Sequence, residues 1–445
     1  MKHLIDGQRG RAEFVTQEDG AGTVFSLLLF VSLVALGGIA VDVSSVTTAR
    51  TELQVTADAV DNASLVSREG MAEADARAVG VTMAAANMTT AEAGVVIRPE
   101  EIVFGRWNSS SRTFTPEPDS RRAVQVVARQ DTTNANPLAT FMLRIIGFDQ
   151  WDVSVVSVFA TERPGCMRDG YIANGLIDLQ SGNEYRDGFC IHSNSNVKVS
   201  SNNFFEDTTN VTMPNWETDL VLPASGMTTN IGLADVVGSD EYDIRILDRL
   251  NVIIDGIRNP DSEHHPTYLS DLPNQRDVSL PQRVTATTDF QTGRVHTRTC
   301  NGNGGAALAL EVDVVGVAII TNCRVSLGQN VNVINSVIVS TSDSDRAIEG
   351  SAGVTIGIPD NCAPGGEAQL IASRGSIQFP SDLGIYGSQL IALNDVTFSA
   401  RGTGVEGVSI VAGGEISQTS GARMGFCGNL PTGNNFEVDY FKLVQ

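Results

Sequence analysis

Residues 21–41, AGTVFSLLLFVSLVALGGIAV, form an uninterrupted apolar run closed by Asp42. About 20 apolar residues, each rising 1.5 Å, cross a hydrocarbon core roughly 30 Å thick. The run meets that length, and its only polar side chains are Thr23, Ser26 and Ser32. A core helix of a soluble domain carries a polar stripe, which is missing here. A cleaved signal peptide has a shorter apolar region and a small-residue cleavage site. The run therefore reads as a retained transmembrane helix, and the chain after Asp42 reads as what that anchor carries.

Lys2, Arg9 and Arg11 precede the run, and Arg50 is the only basic residue in the first turns after it. That excess places residues 1–20 in the cytoplasm and the rest of the chain on the other side. The net charge of −22 repels phosphate backbones, which argues against a nucleic-acid partner. Only 18% of residues are charged, so composition does not predict disorder. At 445 residues the chain is too long for one ordinary core.

All six cysteines, Cys166, Cys190, Cys300, Cys323, Cys362 and Cys427, fall on the expected outer side. An even count in an oxidising compartment points to disulfides. Of the many pairings open to six cysteines, the sequential one is expected: Cys166–Cys190, Cys300–Cys323 and Cys362–Cys427. No C-x₂-C pair suggests zinc.

Beyond the run, composition divides the chain. Residues 42–90 are Ala-rich and read as a long helical stalk, broken at Gly70 or Gly80. Leu53, Ala57, Val60, Ser64 and Ser67 trace one face, with Asp58, Asp61, Arg68 and Glu69 assigned elsewhere. Residues 91–163 hold short β-type runs, such as AVQVVA and VSVVSVFA, around a short helix expected at Leu138–Ile146. They read as a small α+β domain beside the membrane.

Residues 164–445 are rich in Gly, Asn and Ser with very short β runs, among them Val337-Ile338-Val339, Gln389-Leu390-Ile391 and Val408-Ser409-Ile410. That pattern predicts a mainly β domain, a parallel β-helix whose coils gain a core by stacking. A β-sandwich is the alternative. Asn194, Asn196, Asn330, Asn332 and Asn335 are candidates for stacked polar ladders. Residues 239–258 predict a helical insertion with Ser239 as its cap, placed at the solenoid end or between coils. The HHPTYLSDLPNQRD segment after it reads as an exposed loop. The fold class is thus a membrane-anchored multidomain protein: transmembrane helix and stalk, small α+β domain, C-terminal β domain.

Candidate chemistry is thin. His264 and His265 are adjacent, and adjacent side chains in extended chain point apart, so a shared metal is not expected. Asp343, Asp345 and Arg346, or Asp289, Arg294 and His296, have no diagnostic spacing for carbohydrate chemistry. The chain carries no P-loop and no Gly-x-Ser-x-Gly elbow. The expectation is a non-enzyme with no cofactor and no metal.

The N-terminal stretch does resemble a known family. Ala40-Val41-Asp42 at the end of the span, Arg50-Thr51-Glu52-Leu53-Gln54 and Ala57-Asp58-Ala59 are similar to the opening of TadG-like proteins of bacterial tight-adherence (Flp-type) pilus assembly. Asn136–Gly147, NPLATFMLRIIG, followed by a Val-rich strand, is similar to that family's membrane-proximal domain. The resemblance covers residues 13–163. It implies an inner-membrane pilus-assembly component or minor pilin-like subunit, with a periplasmic or surface-exposed C-terminal domain. The same residues, Ala40 to Asp42, Arg50, Leu53, Gln54 and Ala57 to Ala59, would pack on other pilus-assembly or pilin-like membrane proteins. Cell wall or a surface glycan is left open as a further contact. Gly20 and Gly22 lack the glutamate five residues on that a prepilin peptidase reads. No von Willebrand type A metal motif is present. A membrane-tethered carbohydrate-binding or carbohydrate-active β-helix is the alternative, resting on fold analogy alone.

Overall fold

The apolar run is the first part of a single helix, α1 (Asp19–Ser67), 49 residues long. The computed structural model describes residues 19–162, 170–270, 277–301, 307–361, 363–418, 420–425 and 435–445. They fall into two compact units: the chain up to Glu162 together with Tyr440–Gln445, and Arg163–Asp439.

In the first unit, α1 changes character at Asp42. Every described side chain from Gly22 to Val41 is exposed except Gly38. From Asp42 onward, buried residues recur at helical spacing: Ala49, Leu53, Ala57, Val60, Ser64 and Leu65. The helix stops at Ser67, and Gly70 lies in the turn that follows. A second helix, α2 (Glu73–Asn87), returns with Ala76, Gly80 and Ala84 buried. These small residues let the two helices approach closely. A Cβ on Gly80 would lie 2.3 Å from Ser64 Oγ and 2.8 Å from Ile102 Cδ1.

Both helices cover one face of an antiparallel sheet. Its strands are β1 (Ile102–Asn108), β2 (Thr113–Pro116), β3 (Ala123–Gln130), the short pair β4 (Leu138–Ala139) and β5 (Gln150–Trp151) standing apart, and β6 (Val153–Glu162). The sheet order is β2-β1-β3-β6, with Tyr440–Leu443 added beside β6. Leu53, Ala57, Val60, Ile102, Phe104, Val124, Val126 and Val155 form the shared core. The expected stalk is therefore the helical layer of this unit rather than a separate rod, because Leu53 and Val60 need the sheet to leave water. Two charged residues that the sequence pattern places off the packing face are buried. Arg68 donates to the carbonyls of Met71 (2.6 Å) and Asp119 (2.9 Å), and its guanidinium lies 5.6 Å from the Phe104 ring centre. Asp61 is fully buried.

The second unit is a parallel β-helix with three faces. One face is an 11-stranded stack. Gly170, Cys190 and Asn210 stand in line on it, as do Gln369, Gln389 and Ser409, a coil of 20 residues in these parts of the stack, while other coils are longer or shorter. The chain enters in the middle of this stack. Coils beginning at Gly170–Ala173, Cys190–Ser193, Asn210–Met213 and Val237–Ser239 build outward to one end. The chain then crosses to the other end at Val278–Ser279 and winds back, until Ser409–Ala412 pairs with Gly170–Ala173.

The crossover is the predicted helical segment, formed as Arg245–Asp248 and α3 (Leu250–Ile257). It neither caps an end nor inserts between coils. It lies along the outside of the 11-stranded face, over the ladder Ile172, Val411, Ile391, Ile371, Val339 and Ile320. Those strands are buried on both faces, so they read as continuous apolar runs rather than alternating ones. Ser239 is not a helix cap. It ends a strand, and its hydroxyl accepts the Trp216 N–H. The expected exposed loop HHPTYLSDLPNQRD is not fully solvated, since His264 and Leu269 are buried, and residues 271–276 lie outside the described residues.

Inside, aliphatic residues stack with an aromatic group in which Tyr185 lies on Phe205 (4.9 Å) and Tyr171 meets Phe189 edge-on (4.9 Å). A polar ladder runs through the turns at Asn183, Asn203 and Asn230. Each side-chain oxygen takes a backbone N–H of the next coil: Asn203 from Asn183, Asn230 from Asn203, and Asn183 from Ala422. Cys300 and Cys323 are bonded, with Cα atoms 5.2 Å apart, and join adjacent coils. Cys190 is also disulfide-bonded. Cys166, Cys362 and Cys427 lie outside the described residues, so the other two expected pairs do as well.

Removing Asn203 strips the Asn183 N–H of its acceptor in a buried turn. Asn203→Ala should lower the stability of the solenoid by about 1–3 kcal/mol, and Ile253→Ala on the crossover by about 2–5 kcal/mol. Urea denaturation followed by circular dichroism measures both.

Candidate functional site

The chain's most distinctive chemistry lies where the exposed apolar helix becomes a packed one. Asp42 is 1% exposed, directly after the apolar run. A buried carboxylate needs donors, and one loop supplies them. The N–H groups of Phe141, Met142 and Leu143 donate to Asp42 at 2.6, 3.0 and 2.8 Å. These donors open a single 3₁₀ turn, Leu143–Ile146, so the carboxylate caps that turn from another element. Burial raises the pKa of Asp42, and the bonds from Phe141, Leu143 and Met142 lower it more, leaving a net shift below the ordinary carboxylate value.

The loop itself is well closed. The β4 and β5 strands pair Leu138 with Trp151 and Ala139 with Gln150. The Thr140 hydroxyl donates to the Phe148 carbonyl, and the Thr140 N–H to that of Asp149. Gly147, at φ 86°, ends the 3₁₀ turn in the left-handed region. Upstream, the Asn136 amide donates to the carbonyls of Ala93, Val95 and Arg129 and accepts the Asp131 N–H. The helix expected at Leu138–Ile146 is therefore a strand and a 3₁₀ turn, because Asp42 holds three consecutive N–H groups that a longer helix would have to use otherwise.

Of the sequence-selected residues, Leu53 and Ala57 lie in the unit's own core and Asp42 in the clamp. Asp58 accepts from Gln54 (2.8 Å) and from the Ser157 hydroxyl (2.6 Å). Ala40, Val41 and Arg50 are exposed, and Ala59 is half-buried. A groove of about 700 Å³ runs beside the same stretch of α1, lined by Ser45, Thr48, Glu52, Thr56, Met88 and Glu92 among others.

Asp61, placed off the packing face by the sequence pattern, is fully buried. Its carboxyl oxygens have no hydrogen-bond partner. Burial pushes its pKa up to about 9, with the Ser157 hydroxyl acting downward and the Asp58 charge upward. Ser157 gives its proton to Asp58, so burial dominates and Asp61 is a neutral acid at pH 7.

Among the described residues of the solenoid, most of the candidate histidines and carboxylates have other partners or stand apart. The His296 Nε2 accepts the Gln291 N–H (3.0 Å), which leaves Nδ1 to donate to the Arg294 carbonyl (3.1 Å). His265 Nδ1 is 2.9 Å from the Ile257 carbonyl, and His264 packs edge-on to Phe436. Asp343 and Asp345 are exposed in a turn. Asp178, Asp395 and Glu415 do come near one another, but Asp178 pairs with Lys198 (2.8 Å) and Asp395 accepts the Glu415 N–H (2.8 Å). Among the described residues, no group of His, Cys, Asp and Glu could hold a metal ion.

These observations define a class: a protein led by a long apolar helix that runs into a small helix-on-sheet unit, followed in the chain by a three-faced parallel β-helix. The chain belongs to the family described as a domain of unknown function (DUF7867), whose model matches residues 170–428, the whole solenoid. Its N-terminal region is similar to pilus-assembly families of the TadE/G type. A Flp pilus-assembly TadE/G-like model matches residues 20–60, and a Tad-like Flp pilus-assembly model matches residues 55–158. Asp42 lies in the first of these matches and its three donors in the second. Such regions mark a pilus-assembly component and point to a structural, non-enzymatic role. No curated protein and no solved structure matches the chain.

Two outcomes follow. Asp42→Ala should release the loop, with amide exchange at Phe141, Met142 and Leu143 accelerated roughly ten-fold or more, read by hydrogen–deuterium exchange. For Asp61, the unfolded carboxyl ionises near 3.8 and the folded one near 9. A raised acid pKa favours the folded state at low pH. Its contribution is complete below about pH 4 and is lost as pH rises toward 9, at up to about 1.4 kcal/mol per pH unit. Asp61→Asn, which stays neutral, should flatten this slope and raise the melting temperature at pH 8.

Proposed function

We propose that this chain is a TadG-like, single-span component of a bacterial tight-adherence pilus system, held in the inner membrane with its N-terminus in the cytoplasm. The observation that carries this reading is α1. One continuous helix supplies an exposed apolar segment as long as a bilayer is thick, then the packing face of the adjoining unit. The apolar segment cannot remain in water without hydrocarbon or another apolar surface around it. The exposed residues Ala40, Val41 and Arg50, with the groove beside Thr48 and Glu52, are the surface offered to other pilus-assembly membrane proteins. The solenoid acts as an extracytoplasmic scaffold or adhesive domain. Carboxylates such as Asp178, Glu311, Glu349 and Asp395 are engaged in ion pairs and backbone bonds along the coils, which favours a scaffold over carbohydrate chemistry.

Cell fractionation tests this, using antibody against residues 300–430 and sheared pili run beside the membranes. The full chain should appear in the inner-membrane fraction, and the solenoid should be cleaved by protease added to spheroplasts. Deleting the gene should abolish surface pili. A chain found in the cytosol, or piliation unchanged by its loss, would overturn the proposal.

A further inference from the structure

The clamp places an apolar loop beside the end of the apolar run. In the loop closed by β4 and β5, Phe141, Ile145, Ile146 and Phe148 are 59, 74, 78 and 46% exposed. These four large apolar side chains in eight residues lie outside the unit's buried core, and of them Phe148 meets Trp151 at its rim, ring centres 4.9 Å apart. Their position is fixed by two contacts to α1. Asp42 holds the backbone of residues 141–143. Met142 lies so close to the helix that a Cβ on Gly38 would be 2.7 Å from the Met142 Cβ. Gly38 is also the only buried residue between Gly22 and Val41.

Gly38 stands four residues before Asp42, about 6 Å along the axis at 1.5 Å per residue. It is inside the apolar run, at a depth where the neighbouring Ile39 is 45% exposed. Whatever apolar medium covers Ile39 must also meet the loop that packs on Gly38. Segments that lie in a bilayer interface bury their apolar face roughly 5–10 Å below the surface, the depth this contact sets. Arg144, exposed in the same turn, has a side chain long enough to reach back to the headgroups.

We propose that residues 141–148 insert into the lipid leaflet next to the folded unit, forming a second membrane contact beside the helix. The inference rests on the reading of residues 21–41 as a membrane span. The bound surface is lipid, and continuity with the span is the reason. The chain would then meet the membrane at two points, so its first unit would be fixed in tilt and rotation rather than free to swivel about α1.

Tryptophan quenching in nanodiscs of brominated phosphatidylcholine, on the full chain, tests this. Ile146→Trp carries the probe, and Phe141→Trp repeats it from a second exposed position. Leu33→Trp in the span and Val55→Trp, some 20 Å beyond Asp42 along α1, are the references. Emission added by Ile146→Trp and Phe141→Trp should fall roughly two-fold in brominated over plain lipid, as for Leu33→Trp, with Val55→Trp unchanged. If Leu33→Trp is quenched and both loop probes behave like Val55→Trp, the loop does not enter lipid and the inference falls, as it would if a partner protein covered the loop. If Leu33→Trp itself is unquenched, the membrane span fails and the loop inference fails with it.

Discussion

A carboxylate buried at the end of an apolar helix constrains everything around it. Asp42 follows a run that excludes water, and an ionised group there is tolerated only with its oxygens satisfied. The chain meets this with three consecutive N–H groups from a loop about a hundred residues away in sequence. To present them, that loop must be closed by β4 and β5, latched by Thr140 and fixed at its base by Asn136. A single ionic contact thus accounts for most of the NPLATFMLRIIG segment. It also sets where α1 changes from an exposed helix to a packed one.

The solenoid obeys a different constraint. Each coil buries little alone, so stability comes from stacking like on like. Aliphatic ladders do this on the inside, and on one outer face as well, where the crossover helices supply the cover. The turns face a harder problem, because a buried turn leaves backbone N–H groups unpaired. Asn183, Asn203 and Asn230 solve it with side-chain oxygens passed from coil to coil.

How much of this could be read from sequence depends on the range of the interaction. The apolar run, the Ala-rich continuation and the coil-length β runs are local patterns, and the parallel β-helix follows from the last of them. The Cys300–Cys323 pair was readable because neighbouring coils bring sequence neighbours together. Asp61 and Arg68 fall off the face that helical spacing marks as packed, and only tertiary structure buries them, Arg68 through its contacts with Phe104 and Asp119. The Asn ladder carried a partial signal that was missed: Ser-Gly-Asn at 181–183 and Ser-Asn-Asn at 201–203 repeat at 20 residues, whereas Asn230 follows 27 residues later. The partners of Asp42 had no local signal at all.

The order of coils was also hidden, since parallel strands of similar composition do not reveal which one stacks on which. Yet the connections of the two units supply a reason for it. In the first unit, the C-terminal strand pairs beside β6, with Tyr440 opposite Glu162. The solenoid is therefore an insertion between two neighbouring strands, and an insertion disturbs its host least when its own ends lie close together. A solenoid wound from one end to the other would separate its ends by its full length. This one starts in the middle, so its last coil returns to its first, with Ser409 opposite Gly170. The cost of that arrangement is one long crossover from Ser239 to Val278. The crossover is offset by the aliphatic outer ladder it covers, which would otherwise face water. The unusual winding, the apolar crossover helices and the doubly buried strands are thus parts of one solution to inserting a β-helix in the chain between two strands of a sheet.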